Sequence, residues 1–241
     1  MKCLILAAGY ATRLYPLTEN FPKPLLEVGG KTILDWLIED IDRSGMIDEY
    51  IVISNGKFAC HFENWAGNRV RVVNDNTFTN ETRLGAVKDI KFALDTLGID
   101  DELLVIAGDN LLDFSLCSFL EYYKEKKASS VMRFYEADEK KLLKCGVVTV
   151  DENDRITQMT EKSPTPATHW VCPPFYIYTR KDAARIGEAL EDGCGYDAPG
   201  SLVAWLCQKS TVYAMEMPGS RYDIGNLESY NKVKSEYKGI K

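Results

Sequence analysis

Two basic side chains, Arg13 and Lys23, stand in a stretch of small residues directly after the first apolar run of the chain. The stretch reads Leu6-Ala-Ala-Gly-Tyr-Ala-Thr-Arg-Leu-Tyr-Pro-Leu-Thr18, then Pro22-Lys-Pro-Leu25. A strand that breaks at Gly9 into a loop of small residues lets backbone N–H groups approach an anion closely. Arg13 and Lys23 add the positive charge that a polyphosphate requires. Residues 1–34 carry four basic and two acidic side chains, a local +2 in a chain of net charge −7. The plainer alternative is a strand–loop–helix connection with two solvated basic side chains. Two commoner phosphate motifs are excluded. A dinucleotide fingerprint needs three spaced glycines where this loop has only Gly9, and Gly30-Lys31-Thr32 lacks the earlier P-loop glycine, because position 25 is leucine.

Carboxylates supply the second kind of chemistry. Asp109, in Ala107-Gly-Asp-Asn110, follows the apolar run Leu103–Ala107. An aspartate just beyond the carboxyl end of a buried strand faces the ligand crevice of an open α/β sheet, and a hard cation takes carboxylate oxygen. Asp223, in Tyr222-Asp-Ile-Gly225, is placed similarly after Val212–Met217. Taken singly, each is equally a turn or helix-capping residue. His61 and His169 are the only histidines and form no H-E-x-x-H pair. The seven cysteines contain no C-x-x-C and read as reduced, mostly buried thiols.

Parallel strands joined by crossover helices are the scaffold expected to position these groups. Cys3–Ala8, Tyr50–Ser54, Val70–Val73 and Leu103–Ala107 read as strands. The 3.6-residue recurrence of Ile33, Leu34, Leu37, Ile38 and Ile41 marks a helix, as does that of Val87, Ile90, Leu94 and Leu97, ending at Gly98. Leu116, Phe119, Leu120 and Tyr123 mark a third. After residue 128 the rhythm changes: Val131–Phe134, Gly146–Val150, Phe175–Tyr178 and Val212–Met217 read as strands with longer connections. Asp151-Glu-Asn-Asp154 is a turn signal for an antiparallel hairpin. A length of 241 residues allows a sizeable core without disulfides. The acidic balance argues against a nucleic-acid polymer as partner. No apolar run approaches the ~20 residues of a membrane span, and no signal peptide is visible, so a cytoplasmic protein is expected.

The run L-A-A-G-x-A-T-R-L-x-P-L-T, followed by P-K-P-L and a G-K step, resembles the sugar-1-phosphate nucleotidylyltransferases, including the short glucose-1-phosphate thymidylyltransferase-like forms. The likeness continues at five further places up to residue 230. It implies a single Rossmann-like α/β nucleotidyltransferase domain over residues 1–241, with a mixed, mainly parallel central sheet flanked by helices. Residues to about 128 would bind nucleotide, and residues from about 129 the acceptor. The resemblance implies that a nucleoside triphosphate is joined to a sugar 1-phosphate with release of pyrophosphate, using Mg²⁺. It assigns Leu6, Ala7, Ala8 and Gly9 to the nucleotide, with Arg13 and Lys23 catalytic. Asn80 and Gly85 belong to the base-reading loop, and Asp109 with Asp223 would hold Mg²⁺. Gly146 and Glu161 would hold sugar hydroxyls, and Lys162 would meet the sugar phosphate. Phe175, Tyr176 and Tyr178 read first as core strand residues, and by the resemblance Tyr176 would also line the sugar pocket.

Several positions depart from the family pattern. Ala11 stands where glycine is frequent, Asn80 where glutamine is expected, and Pro173-Pro174 where small residues precede Tyr176. The chain also stops soon after its last helical stretch, so no β-helical acyltransferase domain is expected. An Asn80 amide pairs with the O4/N3–H edge of thymine or uracil and, flipped, with cytosine. The resemblance of Gly108-Asp-Asn110 to the thymidylyltransferase step favours dTTP or UTP. A CTP-dependent cytidylyltransferase for a phosphorylated alcohol or phosphonate is the nearest alternative. A nucleotide-sensing protein without turnover is the alternative of another class, and a homo-oligomer is left open.

Overall fold

The computed structural model describes all residues, 1–241. Along the chain the strands are β1 (Lys2–Leu6), β2 (Glu27–Val28), β3 (Lys31–Thr32), β4 (Glu49–Ser54), β5 (Val70–Asn74), β6 (Leu103–Ala107) and β7 (Asn110–Leu112). They continue with β8 (Ser129–Tyr135), β9 (Gly146–Val150), β10 (Ile156–Glu161), β11 (Trp170–Val171), β12 (Phe175–Tyr178), β13 (Val212–Glu216) and β14 (Arg221–Asp223). The helices are α1 (Ile33–Asp42), α2 (Ala59–Ala66), α3 (Ala86–Leu97), α4 (Cys117–Lys126), α5 (Glu139–Leu142), α6 (Arg180–Ala183), α7 (Ile186–Glu191), α8 (Gly200–Leu206) and α9 (Leu227–Glu236). The fold is a mixed sheet flanked by helices, the class expected. Two compact units divide the chain discontinuously. One holds residues 2–83, 107–118 and 218–241, the other residues 84–106 and 119–217 together with Met1.

In the first unit β1 and β4 pair in parallel, as do β4 and β5. Cys3, Leu4, Ile5, Ile51, Val52 and Ile53 are all fully buried, which is why these runs are apolar without alternation. Helix α1 buries Ile33, Leu34, Leu37, Ile38 and Ile41, each worth about 1.5–3 kcal/mol in apolar transfer. It starts where it does because Thr32 accepts a hydrogen bond from Asp35 N–H at 3.0 Å. The expected strand Cys3–Ala8 ends two residues early, at Leu6. Ala7 N–H still bonds Ile53 O, and the chain then leaves the ladder to build the loop.

The first unit also holds a feature the sequence reading missed, a two-stranded ribbon. Strands β7 and β14 pair antiparallel, with Asn110 opposite Asp223 and Leu112 opposite Arg221. Asp223 therefore ends a strand of its own, rather than following Val212–Met217 directly.

In the second unit β6 and β8 each pair antiparallel with β12, and β13 runs parallel to β8. The hairpin around Asp151–Asp154 forms as expected between β9 and β10, and β11 bridges β8 and β9. Strand β8 begins at Ser129, two residues before the apolar run, because Ser129 Oγ donates to the buried Asp182 at 2.5 Å. Helix α3 closes at Gly98, whose N–H caps Leu94 O. The expectation of mostly buried cysteines fails. Only Cys3 and Cys172 are buried, and all seven are free thiols.

Candidate active site

The loop after β1 is the first half-site. The backbone N–H groups from Ala8 to Arg13 make no hydrogen bond within the fold, whereas Leu14 N–H returns to Ala11 O. Asn55, fully buried, anchors the loop by donating to Ala8 O at 2.9 Å, and Thr18 Oγ1 holds Ala11 O at 2.8 Å. Ala11 takes a left-handed conformation, φ 47° and ψ 40°, so the glycine-like backbone is kept with a Cβ present. Arg13 is exposed and forms neither ion pair nor side-chain hydrogen bond within the chain. Such a run of free N–H groups beside an exposed cation can receive an anion.

Lys23, in a single helical turn over Lys23–Leu25, is buried and donates to Asp109 Oδ2 at 2.7 Å. Asp109 Oδ1 accepts from Asn110 Nδ2 at 3.0 Å, and Asn110 Oδ1 accepts from Arg221 Nη1 at 2.7 Å. Burial alone would raise the Asp109 carboxyl, but Lys23, with Arg221 behind it, holds it below the ordinary range. Asp109 thus stands as a carboxylate at neutral pH. The ribbon register sets exposed Asp223 opposite Asn110, the residue that follows Asp109. No group of three histidine, cysteine or carboxylate side chains converges anywhere in the chain. Mg²⁺ is commonly held by one or two carboxylates, with waters and substrate phosphates completing its shell. An ionised Asp109 and the exposed Asp223, on the two segments that the ribbon pairs, supply the carboxylate oxygen that such an ion takes.

Asn80 and Gly85 fall differently. Asn80 is exposed, and its backbone carbonyl accepts from Arg83 Nη1 at 2.8 Å. Gly85 belongs to the second unit. Its φ of +92°, and a hypothetical Cβ only 2.7 Å from Tyr196 O, exclude a side chain there. Tyr196 O and Asp197 O accept from Val87 and Ala86 N–H, closing the start of α3.

The acceptor residues expected from the sequence gather in the second unit. Glu161, at the end of β10, lies against Gly146 of β9, where a Cβ would come within 2.7 Å of its Oε1. Gly200 meets the same oxygen even more tightly, so the carboxylate sits between two glycines. Burial pushes the Glu161 carboxyl up, and Lys162 offsets part of that rise. Lys162 adopts φ 48° and extends its ammonium to 3.9 Å from Asp197 Oδ2. Asp197 escaped the sequence reading, since an aspartate after Gly-Tyr carries no motif. Tyr176, on β12 between β6 and β8, is 2% exposed and stacked on Tyr178 with centroids 6.0 Å apart, as a core strand residue would be.

Comparison with known proteins bears on the same residues. The profile of the nucleotidyl transferase family matches residues 2–239. A putative mannose-1-phosphate guanyltransferase of Sulfolobus acidocaldarius is 27% identical over 248 residues, covering 100% of this chain and 64% of that protein. A UTP–glucose-1-phosphate uridylyltransferase of Haloferax volcanii is 26% identical, covering 97% of this chain and 95% of its own length. The chain spans 57% to 64% of the length of three curated relatives it matches. The apo structure of a UDP-glucose pyrophosphorylase superposes with a TM-score of 0.80 at 19% identity, over 98% of this chain and 97% of the other, a likeness of fold.

Proposed function

The chain belongs to the nucleotidyl transferase family, and on that premise we propose that it joins a nucleoside triphosphate to a sugar 1-phosphate and releases pyrophosphate. The observation that carries the reading is the first unit's combination of free N–H groups from Ala8 to Arg13 with the Lys23–Asp109 pair. A polyphosphate needs donors and cations, and a transfer at phosphorus needs them held in place beforehand.

In this reaction an oxygen of the sugar phosphate attacks the α-phosphorus of the triphosphate. The bond from that phosphorus to the bridging oxygen breaks, and pyrophosphate leaves with the electron pair. No enzyme nucleophile is required. The N–H groups of Ala8 and Gly9, with Leu6 and Ala7 setting the turn, would receive the phosphates. Arg13, free of internal partners, would neutralise charge on the departing pyrophosphate, and Lys23 would do so at the α-phosphate. Asp109 and Asp223 would hold Mg²⁺, whose Lewis acidity lowers the charge barrier between the two anionic reactants. Gly146 and Glu161 would take sugar hydroxyls, and Lys162 would receive the acceptor phosphate.

Asn80 and Gly85 would read the base. Asn80 is exposed and its amide is not committed within the chain, which suits a ligand edge. We assign a pyrimidine, dTTP or UTP ahead of CTP. The uridylyltransferase relative, matched over nearly its full length, supports this, whereas the guanyltransferase name points to a purine. A competition assay with the common triphosphates at equal concentration, with glucose 1-phosphate as acceptor and pyrophosphate release as readout, tests the assignment. A purine product would overturn it, and absence of turnover with every acceptor tried would favour the nucleotide-sensing alternative.

A further inference from the structure

Of the two carboxylates proposed to hold Mg²⁺, Asp109 immediately precedes one strand of a ribbon of three residues each and Asp223 ends the other, and such a ribbon is too short to keep its own register in water. Something else must clamp it. The geometry points to Tyr237, beyond the end of α9, as the positioning residue that fixes Asp109 and Asp223 relative to one another. This rests on the reading of those aspartates as the metal pair.

Tyr237 touches both strands. Its hydroxyl, buried, donates to Leu112 O of β7 at 2.7 Å. Its ring meets the Tyr222 ring of β14 edge-on, with centroids 5.6 Å apart and planes at 81°. Tyr222 immediately precedes Asp223, and Leu112 is the partner of Arg221 in the ribbon register. The outer edge of Tyr237 is held in turn by Trp36 of α1, at 5.3 Å and 84°, whose Nε1 donates to Val28 O at 2.8 Å. Tyr230 of α9 adds a bond from its hydroxyl to Glu27 O at 2.9 Å. Lys241 N–H and the Asp113–Ser220 pair close the far end of the ribbon. The C-terminal segment is therefore fastened to both the rigid helix and the ribbon, and Tyr237 is the joint. Arg221 and Asn110 then carry the fixed register to Asp109 through bonds of 2.7 and 3.0 Å.

Groups that orient metal ligands commonly change metal affinity by about 10- to 100-fold when removed. Tyr237 acts one step further out, so Tyr237→Phe should weaken divalent-metal binding by about three- to tenfold. Manganese(II) serves as the probe, because free and bound ion are distinguished by electron paramagnetic resonance without turnover. It is titrated into the whole chain with a non-hydrolysable triphosphate analogue. Tyr237→Phe should shift the dissociation constant while leaving kcat at saturating metal within about twofold. Tyr237→Leu, which also deletes the ring contact, should shift it further. Unchanged manganese affinity in Tyr237→Phe, with only a lower melting temperature, would overturn the positioning role. Asp109→Asn and Asp223→Asn are the parallel arms. If they retain full manganese affinity, the metal-pair reading itself fails, a result distinct from failure at Tyr237.

Discussion

Replacing Lys23 by Met probes the electrostatics of the candidate site most directly. Lys23 Nζ and Asp109 Oδ2 are 2.7 Å apart, with the lysine side chain 8% exposed and the aspartate 42%. Bare Coulomb attraction at that separation is about 1.5 kcal/mol in water and about 6 kcal/mol at an effective dielectric of 20. The half-open aspartate places the pair near the lower figure, and desolvation of the ammonium offsets part of it. A double-mutant cycle with Asp109→Asn should return a coupling of about 1–2 kcal/mol in urea unfolding. Turnover should fall further, by about 10²–10³, or about 2.7–4 kcal/mol, the usual loss for one preorganised group facing developing charge. The acid limb of stability should change as well. Burial pushes Asp109 up, but Lys23 and Arg221 hold its folded-state pKa below the unfolded value. Such a group contributes stability above its unfolded pKa and loses it as pH falls through the depressed folded value. Without Lys23, burial dominates, so the decline in stability below about pH 4 should flatten. A coupling indistinguishable from zero together with an unchanged acid limb, or turnover above half of wild type, would refute the reasoning.

Arg13→Ala should lower turnover by about 10²–10³, yet leave stability within about 0.5 kcal/mol, because the exposed guanidinium has no internal partner; kinetics beside urea titration checks both. Lys162→Ala should raise KM for the acceptor phosphate while calorimetry shows nucleotide affinity unchanged, and equal losses would place Lys162 in the wrong half-site. Glu161→Gln should cost acceptor affinity but gain stability at neutral pH. Burial raises the Glu161 carboxyl, so its contribution is full below the unfolded pKa and is lost as pH rises through the folded one. The gain should vanish in acid when unfolding is followed across pH. Ala11→Gly should stabilise by at most about 1 kcal/mol, since the left-handed Cβ strain is relieved while the unfolded chain gains freedom.

The sequence carried the parts of this fold that are local. Leu103–Ala107, Gly146–Val150 and Phe175–Tyr178 are strands with the expected bounds because each is a short apolar run between turn signals. Helix α3 ends at Gly98 because a left-handed cap there favours glycine. The loop after β1 is legible for the same reason, since small residues and Gly9 are the loop's own conformational requirement. Strand β8 was read two residues short because its first partners are polar. Ser129 and Ser130 are buried by hydrogen bonds, which a hydrophobic pattern does not register.

What stayed hidden depends on pairing across the chain. Asp223 was nominated by its motif, but the register that sets it opposite Asn110 links segments whose side-chain bond, Arg221 to Asn110, spans 111 positions. A strand of three residues has no periodicity to detect, and the ring that clamps it, Tyr237, looks in sequence like any tyrosine after a charged helix. Tyr176 shows the converse: its apolar run reads as core, and with antiparallel partners on both sides of β12 its ring is 2% exposed. Residue identity selects candidates for chemistry, and strand pairing sets which of them are brought together. The ribbon register joins Asp223 to the segment of Asp109, and Tyr237 touches both of its strands, so a substitution at Tyr237, remote in sequence from Asp109, is expected to act on an ion that the proposed pair would hold.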